Sequence, residues 1–150
     1  MTKVCTSELI TEWLALRLAL WSTSDESSHL SEIKDILNNP NLSAFFAFDD
    51  NQQIVAFAET AIRVDYVNDC SSSPVAYLEG IYTAPHARKR GYAKDLINHV
   101  KQLAIKNTCK ELASDTNLDN EISQKLHQSL GFIETERIVF ISNNFLIDRL

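Results

Sequence analysis

The segment Arg88-Lys89-Arg90-Gly91-Tyr92-Ala93 constrains this chain more than any other stretch. It follows an apolar run, Ala76-Tyr77-Leu78-Glu79-Gly80-Ile81-Tyr82-Thr83, and it precedes a helix-like run, Ala93–Lys106. A strand, a basic glycine turn and a helix start, in that order, form a device for holding phosphate. The first N–H groups of a helix have no intrahelical partner, and the helix dipole favours an anion beside them. Gly91 lets the backbone approach such a ligand without a side chain in the way. Three consecutive basic residues add charge and suit an anion of more than one phosphate group.

The rest of the chain reads as one soluble domain over residues 1–150. That length buries one proper core and leaves little room for a second. No apolar stretch approaches the roughly 20 residues that span a bilayer, and Met1-Thr2-Lys3-Val4-Cys5 opens onto polar residues without the apolar stretch of a signal peptide. A cytoplasmic chain without membrane contact is expected. Cys5, Cys70 and Cys109 are an odd number at wide spacing, with no Cys-x-x-Cys pair and no zinc-like Cys/His cluster. They read as reduced thiols, structural or incidental, and no metal is expected. The net charge of −6 argues against nonspecific nucleic-acid binding and suits a cationic small molecule.

Helix and strand signals alternate along the chain. Leu9, Trp13, Leu16 and Leu20 give helical spacing within Glu8–Trp21, with Ser7 available as an N-cap. A second helix is expected from about Ser28 to Leu37, ending before Asn38-Asn39-Pro40. Leu42–Phe48 and Ile54–Val64, joined by the turn residues Asp49-Asp50-Asn51, predict an antiparallel hairpin. A loop, Asp69–Pro74, leads to the strand that carries Glu79. After the phosphate-loop helix come a short strand, Glu111–Asp115, and a helix, Asn120–Leu130, closed by Gly131 as a C′ glycine. Phe132–Ser142 predicts one or two final strands, and Phe145–Leu150 gives no clear signal. The order implies an α/β or α+β domain around a mixed sheet.

Two stretches carry a resemblance to a known family. Arg88-x-x-Gly91-x-Ala93 resembles the pyrophosphate loop of the GNAT superfamily of N-acetyltransferases, and Ile81-Tyr82-Thr83-Ala84-Pro85 resembles the end of its cofactor strand. Asn120-x-x-Ser123-x-x-x-His127-x-x-x-Gly131-Phe132 resembles its second cofactor element. The resemblance implies the acyl-CoA N-acyltransferase fold, whose fourth and fifth strands splay around the cofactor, and acetyl-CoA as co-substrate. It implies that Ile81, Tyr82 and Thr83 pair with the pantetheine arm and polarise the thioester carbonyl. Lys89, Arg90, Gly91, Tyr92 and Ala93 then hold the pyrophosphate, Arg88 supports the loop, and Asn120 binds the arm near its reactive end. His127 stands where the family often has the tyrosine that protonates the leaving thiolate. An imidazole can do the same, although on the residues alone His127 reads equally as a helix residue satisfied by a polar neighbour.

Trp21-Ser22, Tyr66-Val67-Asn68, Leu78-Glu79-Gly80-Ile81-Tyr82 and Ala113-Ser114-Asp115 together resemble one branch of the aminoglycoside 6′-N-acetyltransferases. The implied acceptor site comprises Trp21, Tyr66, Glu79, Asp115 and Glu136, with Glu79 also serving as a base. The implied reaction is direct attack of a 6′-amine on the thioester, giving antibiotic resistance, by a homodimer. Carboxylates and aromatic faces are what a polycationic sugar requires. Read alone, the same residues fit an exposed strand glutamate, a turn cap, a helix-end core residue, a loop-packing tyrosine and a solvated glutamate. An N-acetyltransferase for another small amine or a peptide, and a noncatalytic acyl-CoA sensor, remain the other functional readings.

Overall fold

The structure is a computed structural model, and it describes residues 2–4 and 6–143. A five-stranded sheet has the order β1-β2-β3-β4-β5, with β1 Thr2–Val4, β2 Leu42–Phe48, β3 Ile54–Arg63, β4 Val75–Thr83 and β5 Leu112–Ser114. Neighbours run antiparallel except β4 and β5, which are parallel. The helices are α1 Ile10–Leu20, α2 Glu26–Asn38, α3 Tyr92–Lys106 and α4 Glu121–Ser129.

Each element arises from local chemistry. A 3-10 turn, Ser7–Leu9, leads into α1, and Ser7 makes no capping bond, so the expected cap is replaced by that turn. Asp25 caps α2 by accepting from the Ser28 amide at 2.7 Å, so this helix starts earlier than its apolar pattern suggests. In the β2–β3 turn, one Asp49 carboxylate oxygen accepts from the amides of Asn51 and Gln53. Asn120 caps α4 through the Ser123 amide, and Gly131, at φ +92°, closes it as the expected C′ glycine.

Alternation along the central strands builds a core on each face. Phe45, Ala47, Ala56, Ala58, Leu78 and Ile81 meet Leu96, Ile97 and Val100 of α3. Phe46, Phe48 and Phe57 meet Trp13, Leu16 and Ile33 of α1 and α2. Burying each of these large side chains contributes about 1.5–3 kcal/mol.

Two details of β4 shape the gap beside it. Glu59 pairs with Gly80 and Thr60 with Leu78, so Glu79 is the extra residue of a β-bulge. On its other side, β4 pairs with β5 only at Ala76, Tyr77 and Leu78, against Leu112, Ala113 and Ser114. Among the described residues no strand accompanies the stretch from Glu79 to Thr83 on that side. The expected splay is thus present, and it opens at the bulge.

The expected final strands over Phe132–Ser142 are not formed. The chain over 132–143 has no regular structure, and its apolar residues beyond Phe132 are exposed, from 58% at Ile138 to 89% at Phe140 and Ile141. A strand needs a neighbour for its N–H and C=O groups, and none of the described residues provides one here. Of the cysteines, Cys70 and Cys109 are free thiols and burial pushes both upward in pKa, while Cys5 and the tail Phe145–Leu150 lie outside the described residues.

Candidate active site

One end of the splayed gap is the basic loop. Gly91 sits in the left-handed region at φ +88° and precedes Tyr92, the first residue of α3, with no side chain capping the helix. The leading amides of α3, those of Tyr92, Ala93 and Lys94, are therefore available to an anion. Lys89 is also left-handed, at φ +62°. Arg88 turns back and donates from Nε to the Thr83 carbonyl at 2.9 Å, tying the loop to the end of β4, while its guanidinium lies 5.6 Å from the Tyr82 ring centroid. Lys89, Arg90 and Gly91 are exposed. Ile81, Tyr82 and Thr83 occupy the stretch of β4 that no described strand accompanies on that side.

The other end is acidic. The bulge leaves Glu79 36% exposed, and its Oε1 accepts from Arg63 Nη2 at 2.7 Å. The Arg63 guanidinium also lies 3.6 Å from the centroid of the Tyr77 ring. The Tyr77 phenol donates to Asp115. Burial first, and then the Asp115 carboxylate, hold that phenol well above its ordinary pKa, so it stays a donor. Glu79 and Asp115 are thus joined through Arg63 and Tyr77 in one contiguous cluster. Sequence reasoning missed both connectors. Nothing in the local pattern marks Arg63, because its partners come from β4.

Trp21 forms the wall beside this cluster. A Cβ built on Gly80 would stand 2.3 Å from the Trp21 ring, so only glycine lets the indole lie on β4. Behind Trp21 is a buried network. Arg17 donates from Nη1 to the Glu59 carboxylate at 2.5 and 2.6 Å, from Nε to His29 Nδ1 at 3.1 Å, and also to Glu32. Trp13 donates its indole N–H to Glu59 at 2.8 Å. Burial pushes the Glu59 carboxyl upward, and the Arg17 guanidinium pulls it back. A cleft of about 420 Å³ is lined by Trp21, Glu32, Asp35, Glu59 and Glu79 among others. Its four carboxylates outnumber the one guanidinium, that of Arg17, and favour a cation.

Tyr66 and Glu136 lie apart from this group. Tyr66 is 80% exposed in the loop after β3, and Glu136 of the extended tail accepts from Asn68 in the same loop. Among the described residues no hydrogen bond or ion pair joins them to Glu79 or Asp115. The Asn120 side-chain oxygen is engaged in capping α4. His127 is half-buried on α4, with Nδ1 2.7 Å from the Ser123 carbonyl oxygen and Nε2 2.9 Å from Ser114 Oγ. Among the described residues no group of His, Cys, Asp and Glu could hold a metal ion. No described helix is long and apolar enough to cross a membrane.

A sheet that splays beside a basic helix start on one side and a carboxylate cluster on the other is the architecture of an acyl-CoA-dependent transferase. The profile of the Acetyltransferase (GNAT) family matches residues 8–132, and the chain belongs to that family. Among curated proteins it is 51% identical over 140 residues to the aminoglycoside N(6′)-acetyltransferase type 1 of Serratia marcescens, covering 93% of this chain and 96% of that one. Among solved structures it resembles AAC(6′)-Iy in complex with the bisubstrate analog CoA-S-monomethyl-acetylneamine. That match has a TM-score of 0.89 at 42% identity and covers 96% of this chain and 97% of the other. It resembles the apo aminoglycoside antibiotic 6′-N-acetyltransferase AAC(6′)-IG of Acinetobacter haemolyticus at a TM-score of 0.91 and 41% identity, covering 97% and 99%.

Proposed function

We propose that this protein transfers the acetyl group of acetyl-CoA to the 6′-amine of aminoglycosides. The observation that carries the reading is the placement of Glu79. The bulge sets a carboxylate, tied through Arg63 and Tyr77 to Asp115, at the point where β4 loses its β5 partner. The similar proteins from Serratia marcescens and Acinetobacter haemolyticus support the same activity.

In this reading the amides of Tyr92, Ala93 and Lys94, with Lys89 and Arg90, hold the pyrophosphate. The backbone of Ile81–Thr83 pairs with the pantetheine arm and polarises the thioester carbonyl. Trp21 faces a sugar ring, and the carboxylates of Glu79 and Asp115 take its ammonium groups, Glu79 in exchange for Arg63. Glu79, directly or through water, accepts the proton that the amine must lose. The neutral nitrogen attacks the carbonyl carbon, and the C–S bond breaks. Tyr66 and Glu136 line the outer rim, and Asn120 and His127 lie toward the reactive end of the arm.

The test is thiol release from acetyl-CoA with a 6′-amino aminoglycoside and with its 6′-hydroxyl counterpart. Turnover is expected with the first alone, and equal release with both would defeat the reading. Glu79→Gln is expected to lower kcat by on the order of 10²-fold or more, the range of general-base catalysis. The loss is greatest at low pH, where neutral amine is scarcest. A Glu79→Gln enzyme with normal kcat across the pH range leaves Glu79 a binding residue only. The same protein, expressed in a susceptible bacterium, raises aminoglycoside resistance in this reading.

The assembly is a homodimer in the cytoplasm, where Cys70 and Cys109 stay reduced. The support is the run Ile138-Val139-Phe140-Ile141, whose exposure is unusual for a monomer and is relieved by a second copy. Sedimentation equilibrium should give twice the 17.0 kDa chain mass. A monomer at micromolar concentration would refute this.

A further inference from the structure

Ser114 is the last residue of β5 and is paired with Leu78, the residue before Glu79. Its hydroxyl therefore stands at the closed end of the splayed gap, on the opposite strand from the bulge. Among the described residues two groups hydrogen-bond that hydroxyl. The Leu78 carbonyl oxygen is 3.0 Å from Oγ, and His127 Nε2 is 2.9 Å from it.

Counting hydrogens assigns the roles. A carbonyl oxygen only accepts, so Ser114 spends its one hydroxyl hydrogen on Leu78. Its contact with His127 is then a bond that Ser114 accepts, which requires a hydrogen on Nε2. At the other ring nitrogen, Nδ1 lies 2.7 Å from the Ser123 carbonyl oxygen, which again only accepts, and 3.3 Å from the Ser123 hydroxyl, so the shorter contact, to the carbonyl, takes the ring hydrogen and the hydroxyl is left to accept or turn to solvent. That contact requires a hydrogen on Nδ1. All three bonds are made together only when the imidazole carries both protons. Phe132, edge-on to the ring with centroids 5.2 Å apart, covers one side of it.

Resting on the acetyltransferase reading, we infer that Ser114 is the group that protonates the departing thiolate, with His127 as the positioning residue that reloads it. When the C–S bond of the tetrahedral adduct breaks, the electron pair goes to sulfur. The Ser114 O–H turns from Leu78 to the sulfur and gives up its proton, forming the free thiol. Ser114 Oγ takes the Nε2 proton of His127 in the same step. Neutral His127 keeps its Nδ1 hydrogen on the Ser123 carbonyl and then regains a proton from solvent. The amine's own proton leaves by Glu79, so the two protons move through separate groups.

The experiment is single-turnover acetyl transfer by the full chain loaded with acetyl-CoA, with binding of both substrates measured by calorimetry. Ser114→Ala is expected to slow the transfer by about 10²-fold, within the range for proton transfer by a positioned side chain, with both affinities kept. Ser114→Thr restores the hydroxyl and returns the rate to within severalfold of wild type. His127→Gln can still donate a hydrogen bond to Ser114 but has no proton to pass on, so it is expected to be as slow as Ser114→Ala. A merely structural role would leave His127→Gln near wild type. In wild type the rate plotted against deuterium fraction should bow, because two protons move, and in Ser114→Ala it should not. Wild-type transfer in Ser114→Ala or in His127→Gln overturns the relay while leaving the acetyltransferase reading untouched. That reading fails only if the wild-type chain itself transfers no acetyl group.

Discussion

Gly91→Val should weaken acetyl-CoA binding by about 10- to 100-fold while the fold stays intact. Gly91 is held at φ +88° immediately before the first residue of α3. A β-branched residue there meets backbone strain of roughly 1–3 kcal/mol, and each 1.4 kcal/mol is a factor of ten in affinity. The free loop of the variant relaxes out of this conformation. Binding must force it back, so the strain appears in the dissociation constant. A Cβ at this position meets no protein atom within 4 Å, so the core is not disturbed and the side chain projects into the space a phosphate would approach. Calorimetry with acetyl-CoA reads the effect, and circular dichroism checks the fold. Unchanged affinity in a folded variant would remove the phosphate-loop assignment.

Arg17→Met should destabilise the protein by about 3–5 kcal/mol, the usual cost of removing one partner of a buried ion pair. That is a large part of the roughly 5–15 kcal/mol typical of a whole domain. Arg17 and Glu59 are 2% and 5% exposed, and the Glu59 carboxylate keeps only the Trp13 indole once the guanidinium is gone. Burial is the largest influence on Glu59 and already raises its pKa. Without Arg17 that influence is unopposed. A carboxyl whose folded pKa is raised contributes stability below its unfolded value, and loses it as pH rises through the folded one. The variant should therefore be less impaired in mild acid than at neutral pH. Adding Glu59→Leu should recover much of the loss, since replacing both partners by apolar groups is often neutral. Urea unfolding measures all three proteins. A single variant within about 1 kcal/mol of wild type would show that the network carries no stability. Arg17 also lies 4.7 Å from the Trp21 ring centroid, so the same change should loosen the wall that Trp21 forms beside Glu79.

What the sequence discloses is whatever is written in neighbouring residues. The β2 strand begins and ends where its apolar run does, and the strand, loop and helix around Gly91 stand in the expected order. What it hides depends on partners distant along the chain. β1 is only Thr2–Val4, too short to show a pattern, and exists because β2 offers an edge. Arg17 reads as one charge in an apolar helix, and its partner lies 42 residues away. Ser114 is one serine among many until β5 sets it opposite Leu78. Phe132–Ser142 misleads for the opposite reason. Its apolar alternation is a strand signal, but the described residues leave it without a ladder to join.

The bulge at Glu79 has a consequence for how such a protein can change over time. Before it, Ala76 and Leu78 face α3, and after it Ile81 does, so the alternation restarts in a new phase. The residue at the restart is counted in neither phase and fills no place in either core. Substitutions there are free to alter reactivity without repacking the interior, whereas deleting the position would turn the residues beyond it over and exchange their faces. In the proposed reaction, acceptor chemistry and foldedness are thus separate traits at this one position, open to independent selection.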